Sequence, residues 1–283
     1  MSTATTAAPP AGRRAAAGPA PRLTFLGVLR GEWIKLLSLR STWWTLAVTV
    51  VVMALFALAQ AASLEVLMDP EFGGGGPVSI HGAEVITGGY QFAMVTVAVL
   101  GALAMTGEYS TGMIRSTLAA VPTRLPVLAA KAIILVGLTV VVAAVGIAVS
   151  ALVTAPMLAE HDLVPAMDDP DTWQVFGGTV YFLVAVALFA LGLGAVLRHS
   201  AGTITAVLGA LLLLPMILQF ISLDWVQDAL AYLPLPAATA FVAVSEMLAI
   251  GDGLSPWQGV AVLGGYAVLA LVAGAVLLRR RDA

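Results

Sequence analysis

Only 10% of the 283 residues are Asp, Glu, Lys or Arg, so each charged side chain marks a place where polar chemistry is concentrated. One such place is GEYSTGMIRSTLAAVPTR, from Gly107 to Arg124, which carries Glu108, Arg115 and Arg124 between two long apolar stretches. Tyr109, Met113, Ile114, Thr117 and Leu118 recur at three- and four-residue intervals. That spacing predicts a short helix from about Glu108 to Ala120, stopped near Pro122, with the chain turning back towards the membrane after Pro126. A helix this short is marginal alone in water. It must pack on an N-terminal helix, on lipid headgroups or on another protein. The alternative is an interfacial loop whose Arg115, Arg124 and Lys131 only hold the topology.

Other chemistries find little support in the residue types. There is no cysteine, which removes disulfides, thiol nucleophiles and cysteine metal sites. The two lysines stand in EWIKLL (Lys35) and AAKAII (Lys131). Neither follows a Gly-rich turn ending in Gly-Lys-Ser/Thr, so no phosphate loop is present and no ATP site of that kind is expected. His161 lies beside Glu160 and Asp162, with Asp168–Asp171 following; a solvated acidic loop is the simplest reading, with an outer cation site the sharper one. His81 and Glu84 offer two ligands, which do not make a metal site. No Ser/His/Asp grouping emerges from the spacing. The expected catalytic, cofactor and metal residues are therefore none.

These segments must be positioned by a bilayer. The chain is 60% hydrophobic with a mean hydropathy of +0.99. A soluble core of this size cannot hide that much apolar surface. A helical span takes about 20 apolar residues, and six stretches qualify: near Trp43–Ser63, Val85–Thr106, Ala132–Pro156, Val175–Leu197, Gly202–Ile221 and Trp257–Leu278. Pro215 should kink the fifth. Uniform hydrophobicity favours helices over a barrel. As drawn, the spans hold no Asp, Glu, Lys or Arg away from their ends, which argues against an ion-coupled transporter.

All 13 Lys and Arg fall in the N-terminal region through Arg40, in Gly107–Lys131, at Arg198 and in the closing RRRD. With six spans these lie on one side, so both termini are expected in the cytoplasm and the chain in the plasma membrane as a multi-pass protein. Of the acidic residues only Glu32, Glu108 and Asp282 share that side. Trp33, Trp43 and Trp44 cluster at the expected inner interface, and Trp173, Trp225 and Trp257 at the outer one. Residues 1–21, rich in Ala, Pro, Thr and Gly, read as a disordered cytoplasmic tail, and Gly73–Gly76 as a flexible outer loop. Between Leu23 and Arg40, Leu26, Leu29, Trp33, Leu36 and Leu37 form one helical face opposite Thr24, Gly31, Lys35 and Ser38, which predicts an amphipathic helix lying in the inner interface. YLPLPAATAFVAVSEMLAI predicts a short helix in the outer leaflet before the last span. The fold class is all-α integral membrane.

Three stretches resemble the type-2 family of ATP-binding-cassette (ABC) export permeases, in an actinobacterial style. RGEWIKLLSLRSTWWTL (Arg30–Leu46) is similar to that family's approach to its first span. GEYSTGMIRSTLAAVPTRLPVLAAK (Gly107–Lys131) is similar to its Gly-Glu-Tyr cytoplasmic segment, although Gly112–Ile114 reads GMI where many relatives have Gly-Thr and an apolar residue. YLPLPAATA (Tyr232–Ala240) and the RRRDA end resemble its outer helix and tail. The resemblance implies an ABC type-2 transmembrane domain over residues 22–283, a permease subunit forming the membrane path of an exporter. It implies a separately encoded ATPase subunit that binds ATP and Mg, and a second permease subunit, the same chain in a homodimer or a paralogue. No cofactor is implied in this chain and no nucleic acid among its partners. It also implies ATPase coupling through Glu108, Tyr109, Met113, Ile114 and Arg115, with the interfacial helix (Leu26, Leu29, Trp33, Leu37) as a second gripping surface.

Thr45, Thr49, Thr96 and Thr203 are the weakly polar residues expected nearest a path, although threonines in spans more often bond their own backbone or a neighbouring helix. The chain itself is not expected to be an enzyme. Two other readings share the architecture: a membrane scaffold or assembly protein that moves nothing, and a passive channel or secondary transporter. Lipids, hydrophobic drugs, antibiotics and peptides are all compatible substrates.

Overall fold

The computed structural model describes residues 24–68, 80–120, 124–245 and 254–280. The expected tail over residues 1–21 and the Gly73–Gly76 loop lie outside them. Within them the chain is helical, with no strand. In order come α1 (Phe25–Ser38), α2 (Arg40–Ala62), α3 (Leu64–Met68), α4 (Gly82–Thr87), α5 (Tyr90–Ser110), α6 (Met113–Ala120) and α7 (Arg124–Glu160). Then follow α8 (Pro170–Leu197), α9 (Ser200–Leu208), α10 (Leu214–Leu218), α11 (Asp224–Leu230), α12 (Pro234–Val242) and α13 (Pro256–Arg280), with a π-helical turn at Gly209–Leu213 joining α9 to α10.

Among the described residues, six helical stretches are long and apolar enough to cross a membrane: Arg40–Val66, Gly82–Ser110, Arg124–Glu160, Pro170–Leu197, Ser200–Leu218 and Pro256–Arg280. Each contains most of one expected span. This is the pattern of a multi-pass membrane protein. The fifth stretch meets Pro215 with the π turn just before it, a local widening of the kind that accommodates a proline in a spanning helix.

The hub is α8. Phe182, Leu183, Val186, Ala187, Ala190 and Leu191 are all fully buried, and their spacing runs a stripe along two turns that faces α5 and α13. Tyr90 of α5 meets the Phe182 ring edge-on at 5.3 Å. Glycines let the backbones approach: Gly192 lies against the main chain at Ala270–Leu271 of α13, and Gly101 of α5 against that of Ala187. Small residues at helix crossings replace the hydrophobic drive that lipid does not supply.

The two ends of the bundle differ. At one end, the end of α5 meets the start of α7 and α9. Ser200 donates to Thr106 at 2.9 Å, the Arg198 guanidinium lies 5.2 Å over the Tyr109 ring, and Arg124 donates to the Leu278 carbonyl near the end of α13 at 2.8 Å. At the other end stand α4, α12 and the start of α8. There, His81 and Asp169 meet at 2.9 Å. The hydrogen bond from His81, with a second from the Asp171 amide, holds the Asp169 carboxyl below its ordinary value.

Candidate functional site

α1 forms where expected, capped by Thr24, whose hydroxyl oxygen accepts from Gly27 N–H at 3.2 Å. Its face bearing Glu32 and Lys35 is packed against the protein and its apolar face is turned outward. Glu32 is 5% exposed and turned into the protein, while Leu26 and Trp33 are 75% and 45% exposed. Leu29 and Leu37 are half-buried. The apolar stripe that a soluble protein would bury faces outward. The polar side, with Glu32 and Lys35, faces α5 and α7.

There it completes a ring of alternating charge. Lys35 Nζ lies 2.6 Å from Glu32 Oε1 and 3.1 Å from Glu108 Oε1. Lys131 Nζ lies 2.7 Å from Glu32 Oε2 and 2.6 Å from Glu108 Oε1. Two carboxylates and two ammoniums cancel, which is what allows buried charge to persist. Lys35 spends its third N–H on Thr117 Oγ1 of α6 at 3.0 Å. Burial pulls the Lys35 pKa down, but the bond to Glu32 and the charges of Glu108 and Glu32 outweigh it and hold the group above the ordinary lysine value. One ring thus ties α1, α5 and α7 together and pins α6 beneath them. The chain's only two lysines are both in it.

The predicted coupling residues divide. Glu108 and Tyr109 belong to the last turn of α5 and not to the short helix, because the chain breaks at Thr111–Gly112, where Gly112 takes φ +72°. α6 starts only at Met113. Its Ile114 and Thr117 are buried, while Met113 and Arg115 are exposed. Pro126 does not break the chain. It sits in the first turn of α7, where a proline costs no hydrogen bond, so Lys131 lies in the same helix as the third span.

Sequence reasoning passed over Glu32, Lys35, Thr117 and Lys131 as a group. A signal was present: Glu32 and Glu108 are acids on the side otherwise crowded with Lys and Arg, and Glu32 and Lys35 stand at helical i,i+3 spacing. Beside the ring opens a cavity of about 350 Å³, bounded by α1, α5, α6, α7 and the start of α2.

A second buried acid lies at the opposite end. Glu84 of α4 is 7% exposed. Its Oε1 accepts the Val244 and Ser245 amides at 2.6 and 2.9 Å, and its Oε2 accepts from the Ser245 hydroxyl. His81, turned to Asp169, does not converge with it. Among the described residues no three His, Asp or Glu side chains gather as a metal site. Of the path candidates, Thr49 and Thr96 meet at 2.7 Å, and Thr49 also donates to Thr45 O. Thr203 donates to His199 O at 2.9 Å.

Compared with known proteins, the chain matches no family model and no curated relative.

Proposed function

We infer that this chain is the permease subunit of an ABC exporter, driven by a separately encoded ATPase that docks against α6 and the adjoining face of α1. The observation that carries this reading is the hydrogen bond between Thr117 and Lys35. Through it, a short helix with an exposed Met113–Arg115 face is joined to a charge ring shared by α1, α5 and α7. A force applied to α6 therefore reaches the ends of two spans without passing through a flexible loop. For such a link to transduce energy, the ATPase must bind one arrangement of the spans more tightly than another. Both lysines are engaged in the ring, and neither stands in a phosphate loop, which fits a subunit that relies on an ATPase partner.

The test is co-purification and reconstitution with a candidate P-loop ATPase. Arg115→Glu on the exposed face should leave unfolding unchanged and weaken assembly or stimulated hydrolysis by roughly tenfold, the loss expected for one reversed contact charge. Undiminished assembly and hydrolysis in that variant would remove α6 as the docking surface. Glu108→Lys is not an equivalent test, because it breaks the ring before it touches any partner.

A further inference from the structure

One edge of α1 combines apolar surface with unanswered positive charge. Counted at about 100° per residue, Arg30 and Ile34 point away from Glu32, with Leu26, Trp33 and Leu37 beside them. Leu26, Arg30, Trp33 and Ile34 are all exposed. Gly27, Gly31 and Ser38 fill the other outward side, next to Lys35 and thus next to α6. The apolar edge therefore faces away from α6.

This edge runs straight into the first span. Leu39 is extended, at φ −80° and ψ 121°, and α2 starts at Arg40. Trp43 Nε1 donates to Leu37 O at 2.9 Å and ties the corner. Trp43 and Trp44 are 57% and 72% exposed. With Trp33, three indoles crowd the level at which α2 enters the bilayer, where tryptophan settles. An exposed apolar edge at that level lies against lipid.

The arginines select which lipid. Arg30 stands among Leu26, Trp33 and Ile34, and Arg40 three residues before Trp43. Both are exposed, and neither has an ion pair among the described residues. Glu32, the only acid on α1, is turned inward. Arg124 and Arg198, by contrast, are spent inside the bundle, on the Leu278 carbonyl and the Tyr109 ring. A guanidinium is matched best by an anion that presents two oxygens to its fork, and phosphate does so. A zwitterionic lipid carries phosphate too, but its own cation cancels the attraction. A lipid of net negative charge keeps it.

We propose that the outward edge of α1 is a docking surface for anionic phospholipids, with Arg30 and Arg40 on their phosphates and Leu26, Trp33 and Ile34 among the first carbons of their tails. This surface requires only that α2 enters a bilayer, and it holds whether or not an ATPase docks on α6.

Photoactivatable phosphatidylglycerol and phosphatidylcholine with identical tails, each at the same trace fraction in phosphatidylcholine nanodiscs holding the full chain, test this. Crosslinks mapped to residues 25–44 should be about fivefold richer with phosphatidylglycerol, the worth of one cation at an anionic surface. Arg30→Gln with Arg40→Gln should bring the two lipids to parity there. Thermal unfolding should be unchanged, because neither guanidinium touches the ring. Equal labelling of residues 25–44 in the unaltered chain overturns the proposal. A preference that survives the double variant overturns it as well. Loss of the preference on adding glycerophosphate at matched ionic strength overturns the part that requires tails. If the double variant does not fold, the unaltered chain decides. Phosphatidylglycerol crosslinks concentrated at residues 25–44 support the surface, and crosslinks confined to other segments overturn it.

Discussion

The Lys131 ammonium lies 2.6 Å from Glu108 Oε1, with both side chains 6% exposed. The contact fastens the third turn of α7 to the last turn of α5, and Glu32, 2.7 Å from the same ammonium, brings α1 to the same point. An ion pair this buried is held by its neighbours' charges, so its energetics follow from how many of those charges remain.

Lys131→Met leaves two carboxylates sharing one cation and should cost about 3–5 kcal/mol, the penalty for orphaning a buried charge. Glu108→Gln leaves an excess positive charge and should destabilise in the same direction. The double variant restores neutrality through Glu32 and Lys35. It should be less destabilised than the sum of the singles, by at least about 1 kcal/mol of coupling. Equilibrium unfolding of the four proteins in mixed micelles measures this. Simple additivity would mean the ring does not act as a unit.

The ring also sets a pH dependence. The pKa of Lys35 is raised on folding, its burial outweighed by the bond to Glu32 and the charges of Glu108 and Glu32. The folded state therefore holds the proton more tightly. Its contribution is fully present below the ordinary lysine value, about 10.4, and is lost as pH rises through the higher folded value. Unfolding temperature should be insensitive to Lys35 ionisation near neutrality and fall more steeply above about pH 10 than in Lys35→Met. Parallel curves for the two proteins across that range would contradict the assignment.

At the other end, Glu84→Ala removes the acceptor for two amides and one hydroxyl at Val244–Ser245. The expected loss is about 1–3 kcal/mol, concentrated where α12 ends. Hydrogen exchange should quicken at the Val244 and Ser245 amides while α8 stays protected. Ser245→Ala, which removes only the hydroxyl, should do less. Unchanged exchange in Glu84→Ala would show that the carboxylate does not anchor this turn.

Packing at the hub gives a fourth expectation. Gly192 faces the main chain of Ala270 and Leu271 with no room for a Cβ. Gly192→Leu must push α13 away from α8, an overpacking cost of about 1–3 kcal/mol or more. Gly137, where a Cβ meets nothing within 4 Å, is the control, and Gly137→Leu should unfold like the unaltered chain. Thermal unfolding of both variants decides the matter.

The spans were legible because the bilayer fixes both their length and their composition. Their ends were less so. The third extends back to Arg124 because Pro126 falls where a helix needs no donor, which the residues around it do not announce. The short helix was found but begins later, since a glycine at Gly112 can take a left-handed turn that the apolar spacing ignores. The charge ring was not legible as a site, because its contacts join residues 73 and 82 positions apart. That the ions of α1 turn inward is likewise not announced by its amphipathic pattern. In water an apolar stripe points to the core, but against lipid the stripe can point outward and the ions inward.

That facing makes the grip of α1 conditional. Glu32 takes its countercharges from Lys35 on its own helix and from Lys131 on α7, so whatever parts the two helices strands an acid in a dry place.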